Sequence, residues 1–415
     1  VKKEKLTFID LFAGCGGLSE GFLASENFEG LAHVEWEMPM VNTLRKRLTD
    51  KWNHTEEDAR KQVVYFDIQL TEELLEGSWN EETKLKYEPN NHPSIIHGGI
   101  ASLAQGKQVD LIIGGPPCQA YSIAGRAQDK NSMKDDYRNY LFESFVKVVD
   151  FFKPQAFVFE NVPGLLSAKP GNKLVTERIY EAFEAIGYEI RKPALMQKSV
   201  YSANDFNTPQ KRRRIIIVGV KKDKNIDLEG IYSAIDSEKK ENSKMTVKTA
   251  IGTLPQFTPL KTAIKKDGKN VSHLANTKEQ VSLHTPRFHN TRDVNLFKRW
   301  IREKMNSKTS PEKISFYNNI MNKNSNHAKY RNLEWDKPSP TIVAHLYKDG
   351  LMFIHPDEEQ ARSITIREAG CLQSFPKDFE FVGSMGSCYK MIGNAVPPQM
   401  AECIAIGISK VLNKG

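Results

Sequence analysis

Seven short apolar runs are spread through the first 220 residues: LTFIDLF (6–12), LAHVE (31–35), VVYF (63–66), DLIIGG (110–115), AFVF (156–159), residues 187–191 and IIIVGV (215–220). Helix-like stretches separate them, notably 139–152, and a helix is expected from about Leu18. A chain that keeps alternating strand-length and helix-length segments folds as an α/β protein around a largely parallel sheet. Ligands of such sheets bind beyond the carboxyl ends of the strands. Gly14, Glu35, Asp67, Pro116 and Glu160 all fall at such ends.

With 415 residues the chain exceeds the roughly 250 to 300 at which single cores stop growing, so two domains are expected. The alternation stops after Gly219. Residues 221–340 mix Lys, Asn, Ser and Thr with several prolines, and helical periodicity is evident there only around 293–305. Order returns at SPTIVAHL, followed by an expected helix at 366–374 and the closing GNAVPPQMAECIAIGISKVL. Residues 69–109, polar and rich in Glu, read as an insertion between the third and fourth strands.

The formal net charge of +8 is unevenly placed: residues 221–340 hold 24 Lys plus Arg against 13 Asp plus Glu, and the rest of the chain is slightly acidic. Such a lobe suits a polyanion, although a solvated lysine-rich surface has the same composition. The apolar runs are too short to span a membrane, and the Lys-rich start lacks a signal peptide's apolar stretch, so a cytoplasmic protein is expected. Five scattered cysteines (Cys15, Cys118, Cys371, Cys388, Cys403) form no C-x-x-C pair, which points to neither a disulfide framework nor a zinc site.

Two stretches carry chemistry. DLFAGCGG, after the first strand, offers backbone amides at a helix N-terminus and glycines that allow close approach of a ligand. Its F-x-G-x-G spacing lacks the third glycine of the dinucleotide fingerprint, yet an acid ending the second strand, Glu35, would bind ribose hydroxyls in either case, with Trp36 beside it as an adenine stack. In GGPPCQAYS the prolines hold Cys118 rigidly at a strand end, before a long polar loop carrying Gly125, Arg126 and Lys130 that reads as a lid. The nearest histidines, His92 and His97, lie in the 69–109 segment, which disfavours a Cys-His hydrolase. Glu160 ends the fifth strand, while Arg212 and Arg214, two apart, should face the same way. A thiol, a carboxyl and two guanidinium groups round one pocket suit attack on an electron-poor heterocycle. Each also has a plain reading as a buried cysteine, a surface acid and a solvated basic edge.

Taken in order, FIDLFAGCGGLSEGF, VEWE, FDIQ, DLIIGGPPCQAYSIAGR, FVFENVPGLL, TPQKRRRIIIVG, SPTIVA, IREAGCLQSFP and YKMIGNAVPPQMA resemble the successive motifs of the C5-cytosine DNA methyltransferases of restriction-modification systems, from residue 6 to about 405. The resemblance implies a Rossmann-like domain that transfers a methyl group from S-adenosylmethionine to C5 of a cytosine flipped out of a short duplex sequence, without a metal. It implies that Cys118 adds to C6 of the ring, that Glu160 engages N3 and the exocyclic amine, that Arg214 holds O2 and that Arg212 organises the site. It also implies cofactor contacts at Phe12, Gly14, Cys15, Gly17, Leu18, Glu35, Trp36, Asp67, Ile68, Pro116, Asn394 and Ala395, and substrate contacts at Pro117, Gln119, Ser122, Gln210 and Thr341. Thiol activation is then left to the sulfonium and the nearby arginines.

The implied organisation is a catalytic domain over 1–220, a target-recognition domain over 221–342 and a C-terminal segment, 343–415, returning to the first. Double-stranded DNA is the implied partner of a monomeric enzyme, with a restriction endonuclease of the same specificity as a functional counterpart. The length of the 69–109 link leaves IHGGI (96–100) as a competing alignment that would put Gly99 in place of Asp67, and Glu37 is a second acid beside Glu35. A tRNA cytosine methyltransferase would usually carry a smaller basic lobe. A nicotinamide oxidoreductase leaves PPCQ, ENV and QKRRR unexplained, and a catalytically dead homologue does not fit a chain that keeps Cys118, Glu160 and both arginines.

Overall fold

The computed structural model describes residues 4–104, 106–117, 141–240, 244–348 and 350–412. The chain begins β1 (Leu6–Leu11), α1 (Gly17–Ala24), β2 (Phe28–Glu35), α2 (Met38–Trp52), α3 (Glu56–Gln62) and β3 (Val63–Tyr65). Four short helices follow, α4 (Thr71–Glu76), α5 (Glu81–Tyr87), α6 (Pro93–Gly98) and α7 (Ala101–Ala104), before β4 (Leu111–Gly114). Next come α8 (Leu141–Phe152), β5 (Ala156–Asn161), α9 (Val175–Ala185), β6 (Tyr188–Ile190), β7 (Val200–Ser202), β8 (Gln210–Lys211), β9 (Arg213–Lys221) and α10 (Leu228–Ser237). The remainder comprises α11 (Val247–Ile251), β10 (Phe257–Lys266), β11 (Lys269–Ala275), α12 (Thr291–Arg302), α13 (Ser310–Met321), β12 (Ser339–Pro340), α14 (Ile366–Leu372), α15 (Met385–Asn394) and α16 (Pro398–Leu412).

Two compact units emerge, one of residues 1–207, 213–243 and 395–415, the other of residues 208–212 and 244–394. These divisions differ from those the resemblance implied. Residues 221–243 stay with the first unit because α10 lies against α16 so closely that a Cβ on Gly407 would stand 2.7 Å from the Ile235 nitrogen. Residues 343–394, expected to return to the first domain, pack within the second unit.

The first unit is built on an eight-stranded sheet of order β3-β2-β1-β4-β5-β9-β6, with β7 also paired to β9. Strands β1 to β5 are mutually parallel, and β9 runs antiparallel to β5, β6 and β7. The apolar runs are continuous because both faces are covered. Ile9, Leu11, Ile112, Ile215 and Ile217 face one core, and Phe8, Leu111, Ile113, Ile216 and Val218 the other. The strand order reverses between β1 and β4, so the crevice of the sheet opens where those two strands end. On one face α16 crosses α1 at glycine contact: a Cβ on Gly21 would meet the Ala401 Cβ at 2.5 Å, and one on Gly17 the Val396 carbonyl at 2.4 Å.

Residues 69–109 prove to be part of the core. They form the crossover from β3 to β4, and Leu74, Leu75, Trp79, Tyr87, Ile95, Ile96, Ile100 and Leu103 join the cluster on the face of the sheet. The Phe66 ring at the end of β3 stacks on Trp79 at 4.8 Å between centroids. The surface of this segment is acidic and its inner side is apolar, which composition alone averages away.

The second unit has little regular sheet. Its apolar cluster gathers Val294, Phe297, Trp300, Tyr317, Tyr330 and Ile354. Beside it lies a buried polar assembly. Arg362 makes two 2.7 Å bonds to the Glu368 carboxylate, which also accepts the Thr365 N–H that begins α14. This unit holds 26 Lys plus Arg against 14 Asp plus Glu, so the excess positive charge of the chain resides here.

Candidate active site

Between β1 and α1 the backbone turns through left-handed conformations at Phe12 (φ 59°), Gly14 (φ 58°) and Gly16 (φ 90°). Such a φ is uncommon for a phenylalanine and natural for glycine. Gly16 has a second constraint, since a Cβ there would lie 2.5 Å from Leu44 Cδ1 on α2. It was not singled out from the sequence, although the F-x-G-x-G spacing contains it. Cys15 and Leu18 are buried in the core, so this turn offers a ligand its backbone more than those side chains.

Glu35 closes β2 beside the turn. Its carboxylate accepts the Gly14 N–H at 2.8 Å on one oxygen and the N–H groups of Trp36 (2.9 Å) and Glu37 (2.8 Å) on the other. Burial outweighs these donors and pushes its pKa up to about 7. Glu37 occupies the N-cap position of α2, two residues beyond the strand. Trp36 is 48% exposed, a large ring open to solvent directly after a buried acid. Asp67 and the buried Ile68 follow β3, whose line continues through a 3.0 Å bond from the Phe66 N–H to the Glu35 carbonyl. The Asp67 carboxylate accepts the Gln69 N–H at 3.0 Å. Gly99, from the competing alignment, is packed inside the crossover, where a Cβ would come 2.2 Å from the Leu75 carbonyl.

Behind the turn lies a polar chain that sequence reading passed over. Buried Asp10 accepts the Ser19 hydroxyl at 2.5 Å, and that hydroxyl lies 2.8 Å from His33 Nδ1. Burial raises the Asp10 pKa to about 7 and lowers that of His33 to about 3. An acid inside the apolar run FIDLF was the available signal.

The second cluster stands where β4 and β5 end. Glu160, on the last turn of β5, is nearly buried and pairs with Arg214 Nε at 2.7 Å. Gly115 makes room for it: a Cβ there would fall 2.5 Å from Glu160 Oε2. Asn161 Nδ2 donates to the Pro116 carbonyl at 3.3 Å, tying β5 to the proline corner that includes Pro117. Cys118, Gln119 and Ser122 lie outside the described residues.

Arg212 and Arg214 do not share a face. The strand is interrupted between β8 and β9 at Arg212, so the alternation that was expected to align the two does not run through it. Arg212 is fully buried in the second unit, donating to the carbonyls of Ile342 (3.0 Å), Gly393 (2.9 Å) and Asn394 (3.4 Å). Gln210 is likewise buried. Its amide accepts the Ile342 N–H at 2.9 Å and donates to the Leu372 carbonyl and the Gln373 side chain, so it ties the backbone together where a substrate contact was expected. Thr341 donates its hydroxyl to the Lys211 carbonyl at 2.7 Å. Asn394 ends α15 exposed, and Ala395 lies beside Gly17, whose added Cβ would come 3.1 Å from its own.

The turn at Gly14–Gly16, the buried acceptor Glu35 and the open Trp36 ring fit an adenosine-type ligand, one group for each of backbone approach, hydroxyl binding and stacking. Among the described residues no group of three or more His, Cys, Asp or Glu could hold a metal ion, and no helix is long and apolar enough to cross a membrane.

The family described as C-5 cytosine-specific DNA methylase matches residues 6–78 and 66–410. The Type II methyltransferase M.Bpa9945I of Bacillus paralicheniformis is 35% identical, over 98% of this chain and 99% of that one. The Type II methyltransferase M.DdeI of Desulfomicrobium norvegicum is 30% identical, over 97% of this chain and 88% of the relative. Among solved structures, one described as a prophage-encoded DNA modification methyltransferase from E. coli has a TM-score of 0.61 at 24% identity, covering 99% of this chain and all of the other. The S. pombe Dnmt2 methyltransferase follows at 0.55 and 13%, covering 99% of each chain. At these identities the structures speak to the fold.

Proposed function

Because the chain belongs to the C-5 cytosine-specific DNA methylase family and is a DNA cytosine-5-methyltransferase, we propose that it acts on a cytosine flipped out of a short duplex sequence, through a covalent bond from Cys118 to C6. The observation that carries this reading is the Glu160–Arg214 pair held at the end of β5 against Gly115. A carboxyl and a guanidinium side by side match the N3, N4 and O2 edge of cytosine.

In this reading the Cys118 thiolate adds to C6 while Glu160 delivers a proton to N3, so the ring gains an S–C6 bond without accumulating charge and C5 becomes electron-rich. Arg214 holds O2 and keeps Glu160 oriented. S-adenosylmethionine, when bound, supplies the methyl group on a positively charged sulfur. Loss of the C5 proton to solvent water, return of the N3 proton to Glu160 and breakage of S–C6 release the product and restore the thiolate. Flipping exposes C5 and C6 at a cost of a few kcal/mol in stacking and pairing, which contacts in the basic second unit would offset. Glu35, Trp36, Asp67 and the β1–α1 turn would hold the cofactor, with Asn394 and Ala395 alongside. Arg212 acts as a positioning residue through the carbonyls it grips. Pro117, Gln119, Ser122 and Thr341 would contact the substrate.

The same reading makes the protein a metal-independent monomer of the bacterial cytoplasm, acting opposite a restriction endonuclease of equal specificity. DNA with 5-fluorocytosine at the target should form a denaturant-stable adduct in the presence of S-adenosylmethionine. Bisulfite sequencing of a plasmid methylated in cells identifies that target. A Cys118→Ser protein that still formed the adduct would sink the mechanism.

A further inference from the structure

Over much of the described surface, lysines stand beside carboxylates: Lys46 with Asp50, Lys84 with Glu81, Lys107 with Glu29, Lys222 with Glu184. The β10–β11 ribbon departs from that pattern. It carries Lys261, Lys265, Lys266 and Lys269, all exposed, and among the described residues none of the four makes an ion pair. Asp267 is the single acid in residues 257–275.

The ribbon is a built element. Asp267 (φ 49°) and Gly268 (φ 74°) form a two-residue turn with both residues left-handed, the geometry that matches the twist of a hairpin. Lys266 therefore stands directly opposite Lys269, Lys265 opposite Asn270 and Ile264 opposite Val271. Like charges directly opposite on a hairpin are destabilising, and the one acid of the ribbon, Asp267 in the turn, makes no ion pair with either lysine among the described residues. Further down, the register slips between Pro259 and Ile264, leaving Leu260 to Ala263 as a bulge that contains Lys261. The root is anchored: the Phe257 N–H donates to Gln360 Oε1 at 3.2 Å, and buried His273 bonds the Gln360 carbonyl at 2.9 Å. Ile264, 44% exposed, lies near the tip with no covering element.

We propose that the outer half of this ribbon, Ile264–Val271, is a DNA-binding element, entering the major groove of a duplex with Lys265, Lys266 and Lys269 on backbone phosphates. A fixed root, an exposed tip and a charge excess that the fold does not neutralise are what a phosphate lattice would complement, and the major groove admits a two-stranded ribbon. This rests on the reading of the protein as a DNA methyltransferase and assigns one element to the contact with the duplex.

The test uses the full chain and a fluorescently labelled duplex containing the methylated site, with anisotropy measured over a range of salt. The variant Lys265→Gln/Lys266→Gln/Lys269→Gln should bind about tenfold or more weakly at ~100 mM salt, and its log–log salt slope should shrink by about 2 to 3, since each lost phosphate contact removes roughly 0.9. Asn270→Lys should act oppositely, tightening binding and steepening the slope. A control replacing Lys84, Lys107 and Lys173 by Gln should change neither. Unchanged S-adenosylhomocysteine affinity and melting temperature establish that the variants are folded. If the wild type shows no salt-dependent duplex binding, the proposed action on a duplex sequence fails instead. If the wild type binds and the triple variant keeps its affinity and slope, or loses affinity for a folded RNA competitor alone, the ribbon proposal is overturned.

Discussion

Replacing Gly115 by alanine tests the placement of Glu160 without touching either its charge or that of Arg214. An added Cβ would stand 2.5 Å from Glu160 Oε2, against an ordinary separation of about 3.3 to 3.5 Å between such atoms. The carboxylate must therefore retreat by nearly 1 Å. It cannot do so freely, because Glu160 is only 8% exposed and pairs with Arg214 at 2.7 Å. A misplacement of about 1 Å at a reacting group costs on the order of 100-fold, or about 2.7 kcal/mol of transition-state stabilisation. Transfer of labelled methyl groups to the cognate duplex should thus fall about 100-fold in kcat/KM, while cofactor affinity holds and the melting temperature drops by a few degrees at most. Glu160→Gln, run in parallel, should lose activity with its geometry intact. If Gly115→Ala retained activity within threefold of wild type while Glu160→Gln did not, the argument from crowding would be refuted.

The raised pKa of Glu35, about 7, makes the carboxylate proposed to accept ribose hydroxyls a fraction of the population at acid pH. Binding of S-adenosylhomocysteine, followed by calorimetry, should tighten as pH rises from 6 to 8, and Glu35→Gln should bind more weakly with a flatter profile; equal losses in cofactor and duplex binding would mean that Glu35 serves something else. The second prediction concerns acid stability. In the second unit burial lowers the pKa of His273 to about 4 and those of His289 and His355 to about 3. Depressed bases stabilise fully above the unfolded value of about 6.5, and each loses up to ~1.4 kcal/mol per pH unit as pH falls below it. In the first unit Asp10 and Glu35 act with the opposite sign, since carboxyls raised to about 7 destabilise above that pH and are relieved below it, against one depressed histidine, His33. Hydrogen exchange at pH 5.5 should therefore show protection lost around Phe297 and Trp300 before the sheet, and simultaneous loss in both units would contradict this assignment.

The strands of the main sheet were legible because their burial on both faces writes them as continuous apolar runs, as in IIIVGV, and because Glu35 and Glu160 close such runs. The antiparallel direction of β9 was not legible, since a buried strand reads alike either way. The crossover helices escaped because α4 to α7 span four to seven residues each, too few turns for a 3.6-residue period to show. The lysine ribbon escaped for a different reason. Its Asp267–Gly268 turn is a hairpin signal, but the flanking strands lack the alternation that usually accompanies it. Arg212 and Arg214 were read as neighbours on one face by assuming an unbroken strand, and the interruption at Arg212 is set by carbonyls from residues 342, 393 and 394, which no local pattern announces.

Glu35 and Glu160 are both nearly buried acids at the carboxyl ends of parallel strands, yet their supports suit them to different work. Glu35 is fixed by three backbone N–H groups, donors that cannot rotate away, so its oxygens present a fixed acceptor geometry appropriate to holding hydroxyls. Glu160 is paired with a guanidinium on a side chain that can follow it. The guanidinium balances the carboxylate form, and the two side chains can shift together without a change of backbone. That difference suits the proposed roles, binding at the end of β2 and proton movement at the end of β5. Room is also made in opposite ways: Gly14 and Gly16 turn the chain beside Glu35 through left-handed conformations, while Gly115 opens space for Glu160 itself.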